Sequence, residues 1–102
     1  MPDFVTAAKV SEINEGEGKV ANINGKEIAL FNVGGNFYAI DNTCRHKGGP
    51  LGEGMLDGTV VTCPWHHWKY NIRTGVSPVN PQVKVNTYEI KIEGDEVKVK
   101  IE

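Results

Sequence analysis

Every cysteine and every histidine of this 102-residue chain falls between positions 44 and 67. They form two short pairs, Cys44-Arg45-His46 and Cys63-Pro64-Trp65-His66, with His67 beside the second and sixteen residues between His46 and Cys63. Each pair offers one soft thiolate and one imidazole, near enough in sequence to face a common centre. Gly48, Gly49, Pro50 and Pro64 flank them, so the backbone can fold each pair into a tight finger around a metal. A two-cysteine, two-histidine set suits tetrahedral zinc or an iron–sulfur centre. Ordinary buried cysteines and satisfied histidines would not be expected to gather as two such pairs. A structural zinc knuckle usually joins like ligands, Cys-x2-Cys facing His-x3-5-His, whereas each pair here is mixed.

In residue type, order and spacing, Cys44-x-His46 followed by Cys63-x2-His66 resembles the ligand pattern of Rieske [2Fe-2S] proteins. The likeness extends to Cys63-Pro64-Trp65-His66, to Gly48-Gly49-Pro50-Leu51 and to the C-terminal hairpin, and thus to nearly the whole chain. It is closest to the small soluble Rieske-type ferredoxins. The resemblance implies that Cys44 and Cys63 hold one iron, that His46 and His66 hold the outer one, and that two sulfides bridge them. The charges explain the value of two imidazoles. Two ferric ions, two sulfides and two thiolates cancel, and one electron takes the core to a single negative charge. A four-thiolate cluster starts two charges lower. The potential is therefore raised into the range of about -150 to +300 mV. The imidazole N–H not bound to iron stays ionisable, so reduction can be coupled to proton uptake at high pH.

Departures from the family pattern narrow the subclass. Rieske proteins of respiratory and photosynthetic complexes brace their loops with a disulfide. Gly49 and Trp65 stand at the corresponding positions here, so that bond is impossible. The serine that donates to a cluster sulfur in those proteins is replaced by Trp68, although Tyr70 can still donate. Fewer donors leave charge on sulfur less stabilised, which predicts a potential in the lower half of the range. His67 stands where the family commonly has glycine; the spacing favours His66 as ligand and leaves His67 an exposed neighbour. Trp65 and Trp68 are expected to pack beneath the loops or to form a contact surface. Pro78 and Pro81 resemble a proline-containing loop that shields the cluster. Arg45, Lys47, Lys69 and Arg73 flank the ligands, and residues 44–50 and 63–73 contain no carboxylate, which would orient the tip towards a negatively charged partner.

The elements that must position these residues read as strands. Valine and isoleucine number 20, against 3 leucines and 5 alanines, a bias towards β-structure. Strict alternation in Tyr88–Glu93 and Glu96–Ile101 about Gly94-Asp95 predicts a hairpin over 87–102. Its register would pair Ile92 with Val97, Ile90 with Val99 and Tyr88 with Ile101, and would set Lys91 against Lys98 and Glu93 against Glu96 on the outer face, eased by diagonal neighbours. Phe4–Ala8, Lys19–Ile23, Glu27–Val33 and Asn36–Ile40 are expected strands, with turns at Asn24-Gly25 and Gly34-Gly35. Ser11–Lys19 reads as a loop with one short helical turn. Residues 41–82 form a loop-rich cluster-binding subregion, with strands at Thr59–Thr62 and Trp68–Ile72. The expectation is one all-β domain over residues 1–102, a Rieske-like antiparallel β-sandwich or barrel with this subdomain inserted.

Length and charge exclude other classes. No apolar run exceeds four residues, against the roughly 20 of a membrane helix. Eleven Lys and Arg against 13 Asp and Glu give a net of -2, with no general pull on nucleic acid or membrane. The N-terminus lacks a signal-peptide pattern, and two cysteines make a poor disulfide scaffold, so the expected compartment is the cytoplasm. A Rieske cluster has no open coordination position. Oxygenases of the family carry a mononuclear iron in another domain, for which this length leaves no room. The resemblance implies a non-enzymatic, monomeric ferredoxin shuttling electrons from a flavin reductase to a terminal oxygenase. A small subunit of a nitrite reductase-type enzyme and a zinc-stabilised interaction module are the alternatives.

Overall fold

The computed structural model describes residues 3–23, 25–43, 49–65 and 67–101, and the backbone alone of Asp3 and Ile101. Among the described residues ten strands and two single-turn 3-10 helices run in the order β1 (Asp3–Lys9), Val10–Glu12 (3-10), β2 (Gly18–Ile23), β3 (Lys26–Val33), β4 (Asn36–Asp41), Leu51–Glu53 (3-10), β5 (Met55–Asp57), β6 (Val60–Thr62), β7 (Lys69–Asn71), β8 (Thr87–Tyr88), β9 (Ile90–Glu93) and β10 (Glu96–Ile101). The all-β expectation holds, as do the strands foreseen over the first forty residues and the helical turn after β1.

Three antiparallel sheets form, ordered β1-β10-β9, β2-β3-β4-β8 and β5-β6-β7. The central β2-β3-β4-β8 sheet is buried on both faces, and β3 shows why. Ile28 and Leu30 join Ala8, Ile23 and Val99 in one core, while Ala29 and Phe31 join Val61, Cys63 and Tyr70 in the other. A continuous Ile-Ala-Leu-Phe run suits a strand covered on both sides, where alternation would expose polar residues to a core. The first core carries the β1-β10-β9 sheet; the second carries β5-β6-β7, the scaffold of the candidate metal loops.

Turn chemistry sets the registers. Gly34 and Gly35 take φ of 59° and 88° between β3 and β4, and Gly94 takes 60° in the C-terminal hairpin. These left-handed values suit glycine, which has no Cβ to clash. The hairpin pairs Val97 with Ile92 and Val99 with Ile90, as expected. Glu93 and Lys91 face Glu96 and Lys98, and the like charges are offset by an ion pair across the diagonal from Lys98 Nζ to Glu93.

Two expectations need correction. Tyr88 does not pair with Ile101: β10 ends on Asp3 of β1, while Tyr88 pairs with Ala39 in the central sheet. Its hydroxyl donates to Asp41 Oδ1, which pulls the residue out of the hairpin and makes the chain cross from one layer to the next. The second is β5, which lies in the stretch expected to be loop. Three residues flanked by Gly54 and Gly58 carry too little periodicity to be read, yet Met55 to Asp57 pair in register with Thr62 to Val60.

Candidate metal centre

Of the four candidate ligands the described residues include Cys63; Cys44, His46 and His66 lie outside them. Cys63 is fully buried at the end of β6, in the same core as Val61 and Tyr70. Its N–H donates to the Trp68 carbonyl at 2.7 Å, closing residues 63–68 into a loop between β6 and β7. The chain reverses within this loop at His67, which takes φ of 61° and is the one non-glycine residue among those described with a positive φ. Glycine would take that conformation freely, whereas a left-handed residue with a Cβ is strained by roughly 1–2 kcal/mol.

The segment carrying Cys44 and His46 is anchored on both sides. Thr43 and Pro50 form an isolated antiparallel bridge. Leu51 N–H donates to the Asn42 carbonyl at 2.7 Å, and Gly52 N–H donates to Asn42 Oδ1 at 2.7 Å. Asn42 is itself buried, so its amide ties the base of the first loop to the 3-10 turn that follows.

The two loops meet at Gly49. A Cβ there would lie 2.6 Å from Cys63 Sγ and 2.9 Å from Trp65 Cγ, well inside normal contact. At the position that the family resemblance sets against a bracing cysteine of the respiratory and photosynthetic type, the loops meet by direct backbone approach. The buried Cys63 sulfur with a glycine backbone pressed against it fits a thiolate-held [2Fe-2S] group. Among the described residues no group of three or more His, Cys, Asp or Glu side chains forms.

The remaining sequence candidates separate. Trp68 packs against the core and Tyr70 is fully buried within it, whereas Trp65 is half-exposed at 48%. The Pro78–Pro81 segment is a built turn. The buried Ser77 donates its N–H to the Val83 carbonyl at 2.9 Å, and its Oγ accepts N–H groups of Val79 and Asn80, both at 3.3 Å. Between this turn and His67–Lys69 lies a cleft of about 300 Å³, so the turn does stand beside the second loop. Sequence reading missed Gly49 as the contact between loops and Ser77 as the knot of the turn. The Gly48-Gly49 pair was the available signal for the first; a lone serine gave none for the second.

Comparison with known proteins is consistent with this architecture. A profile of the Rieske [2Fe-2S] domain family matches residues 3–89. The ferredoxin component of the naphthalene 1,2-dioxygenase/salicylate 5-hydroxylase systems of Ralstonia sp. is 38% identical over 101 residues, covering 98% of this chain and 97% of that protein. A ferredoxin chain solved as the complex of reduced oxygenase and oxidised ferredoxin in carbazole 1,9a-dioxygenase is 32% identical, with a TM-score of 0.85 over 95% of this chain and 92% of that one. A Mycobacterium tuberculosis chain assigned as the small subunit of an NADH-dependent nitrite reductase superposes with a TM-score of 0.90 over 99% of this chain and 96% of that one; at 20% identity this shows the fold alone. The chain belongs to the Rieske [2Fe-2S] domain family and is an electron carrier with a [2Fe-2S] cluster, not an enzyme in its own right.

Proposed function

We propose that Cys44 and Cys63 supply thiolates to one iron, that His46 and His66 supply imidazoles to the other, and that the chain is the ferredoxin component of an oxygenase system. The close approach of the Gly49 backbone to Cys63, where an added Cβ would meet Sγ at 2.6 Å, is the observation that supports the ligand assignment, because the first loop ends against the sulfur of the second. When bound, the cluster accepts and returns one electron at a potential within about -150 to +300 mV. The chain's own residues do the rest. The buried end of β6 shields the Cys63 sulfur from water, the Gly49 backbone lies against it, and the Ser77–Val83 turn covers the flank beside His67–Lys69.

The donor would be a flavin reductase and the acceptor a terminal oxygenase, in keeping with the full-length correspondence to a dioxygenase ferredoxin. We place the chain in the cytoplasm, where thiolates stay reduced and available as ligands. Among the described residues no helix is long and apolar enough to cross a membrane. Purification tests the role: a shuttle is isolated alone and passes electrons catalytically to a separately added oxygenase. Stoichiometric co-purification with a large redox subunit would contradict it.

A further inference from the structure

Among the described residues the large exposed apolar side chains are Met55, Trp65, Val79 and Ile92, and three of these four surround the candidate metal loops. Met55, 80% exposed, sits at the site end of β5, paired with Thr62 next to Cys63. Trp65 lies in the second loop against Gly49, and Val79, 77% exposed, lines the cleft shared with His67, Trp68 and Lys69. Exposed apolar groups of this size around a cleft mark a surface that a partner covers.

Charge is partitioned along the same boundary. Residues 42–52 and 58–88 hold five cations (Arg45, Lys47, Lys69, Arg73 and Lys84) and no carboxylate, while the rest of the chain holds six cations against thirteen carboxylates. Lys69 and Lys84 are exposed, Lys69 at the foot of the second loop and Lys84 beside the Ser77–Val83 turn. Glu53 and Asp57, on either side of Met55-Leu56, are the carboxylates that interrupt this region.

From this placement we infer that Met55, Trp65 and Val79, rimmed by Lys69 and Lys84, form a docking face for a redox protein with a carboxylate-rich surface around an apolar anchor. The inference rests on the electron-carrier reading and adds the chemistry of the partner. A small acidic protein would ordinarily repel such a partner, and a local field of opposite sign at the point of electron exit reverses that.

Two one-electron acceptors of opposite charge test the sign of that field. The reduced, desalted holoprotein is mixed with ferricyanide or with cationic cytochrome c. Each acceptor takes one electron, giving ferrocyanide or ferrous haem as the protein returns to its oxidised form. The net charge, -2 for the polypeptide and one lower with the reduced cluster, predicts that salt accelerates the ferricyanide reaction and slows the cytochrome c reaction. The docking face predicts the reverse: the ferricyanide rate falls roughly fivefold from low to high ionic strength and the cytochrome c rate rises. The double variant Lys69→Glu, Lys84→Glu restores the net-charge order while leaving the visible spectrum unchanged. Salt dependences of the wild-type protein that are flat, or that follow the net charge, overturn the inference whatever the variant does. Failure to reduce either acceptor at any salt concentration would instead overturn the carrier reading.

Discussion

Gly49 makes the most specific demand of any single residue. A methyl group there has Cys63 Sγ on one side and the Trp65 side chain on the other, so Gly49→Ala must part the two loops. Overpacking of this kind costs about 1–3 kcal/mol. We expect the variant to lose most of its bound iron and sulfide under conditions where the wild type keeps both, a difference read directly by metal analysis. His67 makes the opposite demand. Its backbone is left-handed while its side chain is exposed, so His67→Gly removes strain without removing a core contact. The added freedom of glycine in the unfolded chain offsets part of the gain. A rise in stability of about 0.5–1 kcal/mol should appear in urea denaturation, and an unchanged or lower midpoint would argue against strain at this position. Neither effect was fully legible in the sequence. The glycine pair and the departure from the family at 67 were visible; the backbone angle and the absence of room for a Cβ at Gly49 depend on how two distant loops pack.

At the scale of elements, the crossing between layers hangs on β8. Tyr88 donates to Asp41, and the Lys26 ammonium lies 4.9 Å from the centre of its ring. Partial burial, and next the hydrogen bond to Asp41, hold the phenol above its ordinary value near 10; the Lys26 ammonium is also raised, by its bond to Tyr88. A folded-state value above the unfolded one means that the stabilisation is complete below about pH 10 and is lost as pH rises through the higher folded value. Tyr88→Phe should therefore cost about 1 kcal/mol at neutral pH, and its deficit against the wild type should vanish in the alkaline limb. A deficit independent of pH would place the effect in packing alone. The C-terminal hairpin was readable because alternation and a glycine turn are local signals. The departure of Tyr88 was not, since its partners Asp41 and Ala39 lie more than forty positions away. The short β5 escaped for a related reason: three residues hold no period, and their pairing with β6 supplies what local propensity lacks.

At the scale of the whole molecule, two cores on opposite faces of one sheet divide the labour. One supports the β1-β10-β9 layer, and the other holds Cys63 and Tyr70 beneath the loops. The valine and isoleucine excess announced this architecture only as β-structure; the ligand spacing pointed to the chemistry, because cluster ligation depends on residue type and local order more than on distant packing. Trp68, which packs against the core, stands where the resemblance to high-potential Rieske proteins would place a serine hydroxyl. A redox titration should accordingly give a midpoint in the lower half of the family range of about -150 to +300 mV, and a midpoint well above zero would contradict that reasoning.

Two thiolates and two imidazoles holding a [2Fe-2S] cluster are the feature on which the proposed function stands. Pulsed electron paramagnetic resonance of the protein reduced by one electron tests it most directly. Ligation by His46 and His66 should give a paramagnetic signal with hyperfine couplings from two directly bound imidazole nitrogens, lost when either histidine is replaced. A colourless, diamagnetic protein containing zinc, or a cluster signal without bound nitrogen, would contradict it.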